Sequence, residues 1–246
     1  MAKLNSIVNF LNRELKIKSI KDESLNGLQV RASTEINKVG LATDACMDVF
    51  EKAKKLKCNL VVVHHGLFWK GTKGAEILTK PKVKFLKKNK ISVYAAHLPL
   101  DKHEKYGNNI ILFKLLNVKP KEIFDEVGYL GYLKKTRSVS SIANELERKL
   151  DTRCKVWRFG KNKIKKIAIV SGSGGLSISE AVKKKVDLFI TGEISHGSYR
   201  LVKDVRLSVI TAGHYKTETV GVKEVGKLLE RKFKLKTVFI DNPTGM

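Results

Sequence analysis

Cysteine is scarce: Cys46, Cys58 and Cys154 are the only three in 246 residues, far apart and without a CxxC pair. That count excludes a disulfide framework and gives no thiolate zinc site. No apolar run approaches the ~20 residues that a membrane-spanning helix requires. The opening stretch MAKLNSIVNFLNREL is amphipathic, with neither a long apolar core nor a small-residue cleavage site, so a reducing cytoplasm is the expected location. Acidic residues are few as well. Against 49 Lys and Arg stand 24 Asp and Glu, a formal charge of +25. A chain that basic attracts polyanions through counterion release, so DNA or RNA is an expected partner class. A lysine-rich surface without a nucleic-acid role gives the same count. Hydrophobic residues make up 42%, enough for the core of one large domain or two small ones.

What is present is organised around NLVVVHHGLFWK, residues 59–70. Leu60 to Val63 is an uninterrupted, β-branched run, as in a parallel strand buried on both faces. His64 and His65 close it, at the carboxyl end where open α/β sheets bind ligands. A pair of adjacent histidines also occurs where one caps a helix and the other packs, so partners elsewhere decide its role. Leu4, Ile7, Val8, Leu11 and Leu15 have helical spacing. Asn26-Gly27 marks a turn into a short extended segment, KVGLATD (38–44) reads as a strand and ACMDVFEKAKKLK (45–57) as a helix. The order strand, helix, strand predicts a right-handed parallel crossover. Phe68 and Trp69 read as core or subunit packing in preference to a platform for bases. A helix is expected from Pro81, then a third strand at 91–97, a loop holding Asp101 and His103, and a helix from Asn109.

The second half repeats this pattern. SIVNFLNREL (6–15) aligns with SIANELERKL (141–150), KVGLATD with KIAIVSG, and ISVYAAH with LSVITAG. The expected fold class is α/β: two similar lobes, 1–125 and 126–246, from an internal duplication, with a metal cleft between them. In AGHYKTETVGV a strand ends and a long helix follows, so His214 and Glu218, four apart, share one helical face. Alone, such a pair is most often a surface ion pair. With His64, His65 and Asp101 the set becomes three imidazoles and two carboxylates at strand ends, suited to two ions sharing a bridging carboxylate and water. Imidazole with carboxylate suits zinc, manganese, iron or nickel better than calcium.

NGLQV (26–30), VVVHHGLFWKG (61–71), YAAHLPLD with GNN (94–109), FITGEISH (189–196) and AGHYKTETVGV together resemble the Nif-three-like (YbgI-like) family in its short form, without an insertion between lobes. Its members are often named GTP cyclohydrolase 1 type 2-like. The resemblance implies a dinuclear metal site of His64, His65, Asp101, His214 and Glu218, and a toroidal homohexamer. It places His97 beside the ligands, with Glu193 and His196 in the TGE motif; His97 and Glu193 are the expected proton carriers, and hydrogen bonding alone is the other role open to Glu193 and His196. The cysteine and histidine pattern of true GTP cyclohydrolase is absent, so the family name specifies no substrate. The functional expectation is a metal-dependent hydrolase of a nucleotide or phosphoester, or alternatively a basic ring that binds DNA or RNA with metals as structural pins. Two phosphate loops are weaker signals. Ser171-Gly172-Ser173-Gly174-Gly175 lacks the P-loop spacing and lysine and reads as a tight strand-to-helix turn in preference to an anion cradle. Gly71-Thr72-Lys73-Gly74 is weaker still.

Overall fold

The computed structural model describes residues 1–71 and 74–245, so Thr72 and Lys73 of the weaker phosphate loop lie outside the described residues. The chain divides into two compact units. The first holds 1–103 and 221–242, the second 104–220 and 243–246.

The first unit begins with β1 (Ala2–Lys3), α1 (Leu4–Glu14), β2 (Gly27–Val30) and β3 (Glu35–Ile36), where β1 pairs with β3. The parallel crossovers follow: β4 (Lys38–Asp44), α2 (Met47–Lys55), β5 (Leu60–His65), α3 (Ala75–Lys88) and β6 (Ser92–Ala95), then α4 (Leu98–Lys102). Together with β13 (Lys236–Phe239) they form a sheet of order β13-β4-β5-β6-β2, parallel except for β2. Every residue of β5 from Leu60 to His64 is buried, the burial that its unbroken apolar run predicts. Pro81 lies inside α3, which starts six residues before the expected boundary. Asp101 stands in the short helix α4, in place of a loop; Pro99, in its first turn, brings a preset φ and needs no amide partner there.

The second unit contains α5 (Asn108–Leu115), the hairpin β7 (Pro120–Phe124) and β8 (Gly128–Ser138), α6 (Val139–Leu150) and β9 (Lys155–Trp157). Then come β10 (Lys163–Ser173), α7 (Ile178–Lys183), β11 (Leu188–Glu193), α8 (His196–Asp204), β12 (Ser208–Thr211) and α9 (His214–Phe233), whose later residues belong to the first unit. The sheet order is β7-β8-β10-β11-β12-β9, with β10, β11 and β12 parallel. The period-2 alternation of a strand divides its apolar residues between two cores. Ile167, Ile169, Leu188, Ile190 and Ile210 enter one, and Ala168, Val170, Phe189 and Val209 the other.

Candidate metal centre

In the first unit, parallel register sets Asp44 of β4 beside His65 of β5. Their contact follows from it: His65 Nδ1 lies 2.8 Å from Asp44 Oδ1. His64 Nδ1 lies 2.9 Å from the carbonyl of Ala96, just past β6. A carbonyl only accepts, so Nδ1 carries a proton and Nε2 is the ring atom left to face the site. Nε2 lies 3.4 Å from Asp101 Oδ2, where both side chains are almost fully buried. His97 Nδ1 reaches Asp22 Oδ1 at 2.9 Å. The rings of His64, His65 and His97 lie with centroids 4.6 to 5.5 Å apart. Each can offer a ligand atom within 4.8 Å of the others. Trp69 walls this cluster, its ring 4.9 Å from His97 and its indole N–H donated to the Gly66 carbonyl at 2.9 Å.

Asp22, absent from the sequence reading, ties the cluster together. Burial works against its charge, yet hydrogen bonds from His97, Asn26 and the Ser24 amide prevail and hold its carboxyl well below the usual range. It also accepts the Leu98 amide at 3.0 Å, capping α4. His103 is separate: its Nε2 bonds the Glu14 carbonyl at 2.8 Å.

The second unit gathers a different set. His214 opens α9, with Nε2 3.2 Å from Glu218 Oε2 one turn on and Nδ1 2.9 Å from Glu193 Oε1 at the end of β11. The bond to Glu218 is the main reason that the imidazole pKa rises to about 9; burial opposes it and Glu193 adds to it. Gly172 permits this packing. Its φ is +62°, and a Cβ there would collide with Glu218 Oε1. The amides of Ser171, Gly172 and Gly174 donate to Asn109 Oδ1, Thr217 Oγ1 and Thr191 Oγ1 at 2.6, 3.0 and 2.9 Å. These bonds occupy three of the segment's five amides within the protein, and Ser171 to Ser173 are the last residues of β10, beside Glu218. His196, the first residue of α8, is exposed.

Both units thus place imidazole and carboxylate groups at strand ends, and the donor sets match what zinc, manganese, iron or nickel accepts. Residues 2–245 match the family described as Duf34/NIF3 (NGG1p interacting factor 3). The chain belongs to the DUF34/NIF3 family. Among its relatives is a Pyrococcus horikoshii protein named GTP cyclohydrolase 1 type 2 homolog, 46% identical over 248 residues, covering 98% of this chain and 99% of the relative. The Pyrococcus abyssi protein of the same name is 45% identical over 246 residues, with 98% of each chain covered. The crystal structure of TTHA1606 from Thermus thermophilus superposes with a TM-score of 0.92 at 36% identity, covering 99% of this chain and 100% of that one. As a DUF34/NIF3 member the chain has a mixed α/β fold with a candidate His/Asp/Glu metal-binding group. Among the described residues, no helix is long and apolar enough to cross a membrane.

Proposed function

We propose that this DUF34/NIF3 protein is a dinuclear metal-dependent hydrolase of a phosphoester or nucleotide. His64, His65 and Asp101 of the first unit and His214 and Glu218 of the second are the ligands in this reading. One observation carries it. Buried His64, with Nδ1 turned to the Ala96 carbonyl, points Nε2 at the buried Asp101 carboxylate, so an imidazole nitrogen and a carboxylate oxygen face the same point, as two ligands of one cation do. The cyclohydrolase name of the relatives agrees with hydrolysis and specifies no substrate for this chain.

Bound divalent ions supply Lewis acidity and a water of lowered pKa. The chain's own groups do the rest. Asp22 fixes the His97 ring through Nδ1, so that Nε2 takes or gives a proton at the site. Glu193 holds His214 through Nδ1 and thereby aims Nε2, while its second oxygen can accept a proton. Asp44 does the same orienting work for His65.

The shared order of parallel strand, helix and strand in both units supports an internal duplication with halves 1–125 and 126–246. Assembly as a homohexamer follows from the family resemblance. Elemental analysis of untagged protein, with its mass in solution, tests these readings together. About two transition ions per chain in a hexamer, with turnover of a phosphoester or nucleotide, are the expected result. No retained metal after reloading overturns the enzyme reading. The second reading, nonspecific DNA or RNA binding, is favoured by the net charge of +25. It requires a steep linear fall of log K with log salt; no binding near physiological salt removes it.

A further inference from the structure

We infer that a cavity of about 480 Å³ in the second unit binds a phosphorylated heteroaromatic molecule of mononucleotide size, its phosphate held by Arg153, Lys155 and Lys216 and its ring set against Trp157. The inference deepens the nucleotide reading for the reaction; the binding itself needs no metal.

The local sequence builds the cavity. β9 alternates, so Lys155 and Trp157 share one face of the strand while Val156 packs against the core beneath. Antiparallel register then seats Lys155 opposite Thr211, the last residue of β12. The cavity thus opens at the carboxyl ends of β11 and β12, through Glu193 and Thr211, where parallel sheets place ligands. Trp157 is braced from outside by the edge of Tyr199, with ring centroids 4.9 Å apart, and so offers a fixed aromatic wall. Buried Tyr215, in the first turn of α9, contributes a second.

The charge on these walls is unbalanced. Arg153 and Lys155 are exposed, and Lys216 has one exposed acid, Asp151, 3.5 Å away. Among the described lining residues the one carboxylate, Glu193, is engaged by His214. Three cations around a cleft with aromatic walls select a ligand that is both anionic and flat; the volume lies in the range of small-molecule sites, roughly 300 to 1,000 Å³. Glu193 belongs at once to the cavity wall and to the His214 pair, so a ligand seated here lies against the proposed proton carrier.

Calorimetric titration at fixed ionic strength with AMP, adenosine and inorganic phosphate tests the inference on full-length protein, metal-free and zinc-loaded. AMP is expected to bind with Kd tighter than about 1 mM, and adenosine and phosphate each at least tenfold more weakly. Lys155→Glu should weaken AMP at least tenfold, and Lys18→Glu, an equal charge change on the first unit, less than twofold. In Trp69→Phe, where Trp157 is the remaining tryptophan, AMP should quench the fluorescence and phosphate should not. Absent AMP binding in both forms, phosphate binding as tightly as AMP, or equal weakening by Lys18→Glu each overturns the inference. Metal content measured on the same samples distinguishes its failure from failure of the metal centre.

Discussion

In the first unit His64 and His65 close β5 and His97 follows β6, and each of these three imidazoles turns its Nδ1 to a different oxygen: Asp44 for His65, Asp22 for His97 and the Ala96 carbonyl for His64. In the second, a single imidazole stands between two carboxylates, Glu193 and Glu218. The strand ends are of the same kind, but the charge is distributed differently. Spreading one acceptor per ring fixes three tautomers. Concentrating two acids on one ring raises its proton affinity, and His214 keeps its proton up to about pH 9 in the metal-free protein. The lesson is that similar topology leaves the protonation chemistry of a site to a few neighbours.

The sharpest way to break the comparison is to remove the first unit's imidazoles. His64→Ala/His65→Ala should abolish metal retention by elemental analysis while circular dichroism still reports a folded protein. An unfolded double variant would make the metals structural. Next in size is Gly172→Ala, which forces a β-carbon toward Glu218 Oε1 and a left-handed backbone on a residue that resists it. We expect a loss of about 1–2 kcal/mol in denaturant unfolding from the backbone alone, together with weaker metal binding. Gly197→Ala, inside α8, where the nearest neighbour of such a carbon is Ser195 Oγ at 3.9 Å, is the control and should leave metal binding unchanged without lowering stability. Glu193→Gln should lower metal affinity by about 10- to 100-fold.

The pH dependence of the metal-free protein sharpens the contrast further. His214 has a folded pKa of about 9 against an ordinary value of 6.5. A raised pKa stabilises the fold fully below 6.5, and that contribution is lost as pH rises through about 9. Melting temperature should therefore fall across this window, and the fall should flatten in Glu218→Gln more than in Glu193→Gln. Metal uptake at neutral pH should release the His214 proton, readable with an indicator dye in weak buffer. An effect on stability alone belongs to Asp187, which accepts the Lys165 and Lys166 amides at 3.1 and 2.9 Å. Burial opposes its charge, but bonds from Lys161 and these two amides hold its carboxyl below the usual range, so its contribution is present above the ordinary carboxylate pKa and fades in acid. Asp187→Asn should cost about 1–2 kcal/mol at neutral pH by denaturant unfolding and leave metal content unchanged.

Much of this arrangement was legible in the residues themselves. The apolar run before His64 announces a buried strand, and the four-residue spacing of His214 and Glu218 announces a shared helical face, because both are local properties of the chain. Asp44 and Asp22 were not legible. Their partners, His65 and His97, lie 21 and 75 residues away, and only strand register or an irregular segment brings each pair together. Gly172 left a faint signal, since a glycine within a strand marks a close approach. The β7–β8 hairpin escaped notice because its turn uses Asp125 and Glu126, both at positive φ, where asparagine and glycine would have advertised it.

β13 takes its place at the edge of the first sheet, parallel to β4, with Lys236 opposite Lys38. During synthesis β4 leaves the ribosome nearly two hundred residues before that partner exists. The second unit's strands are all made in the interval, so its sheet can close while β4 still has an open edge. The earliest-made sheet is therefore the last to be finished. A nascent chain halted after α8 would carry that edge exposed, and it is at this stage that unwanted strand pairing has its opening.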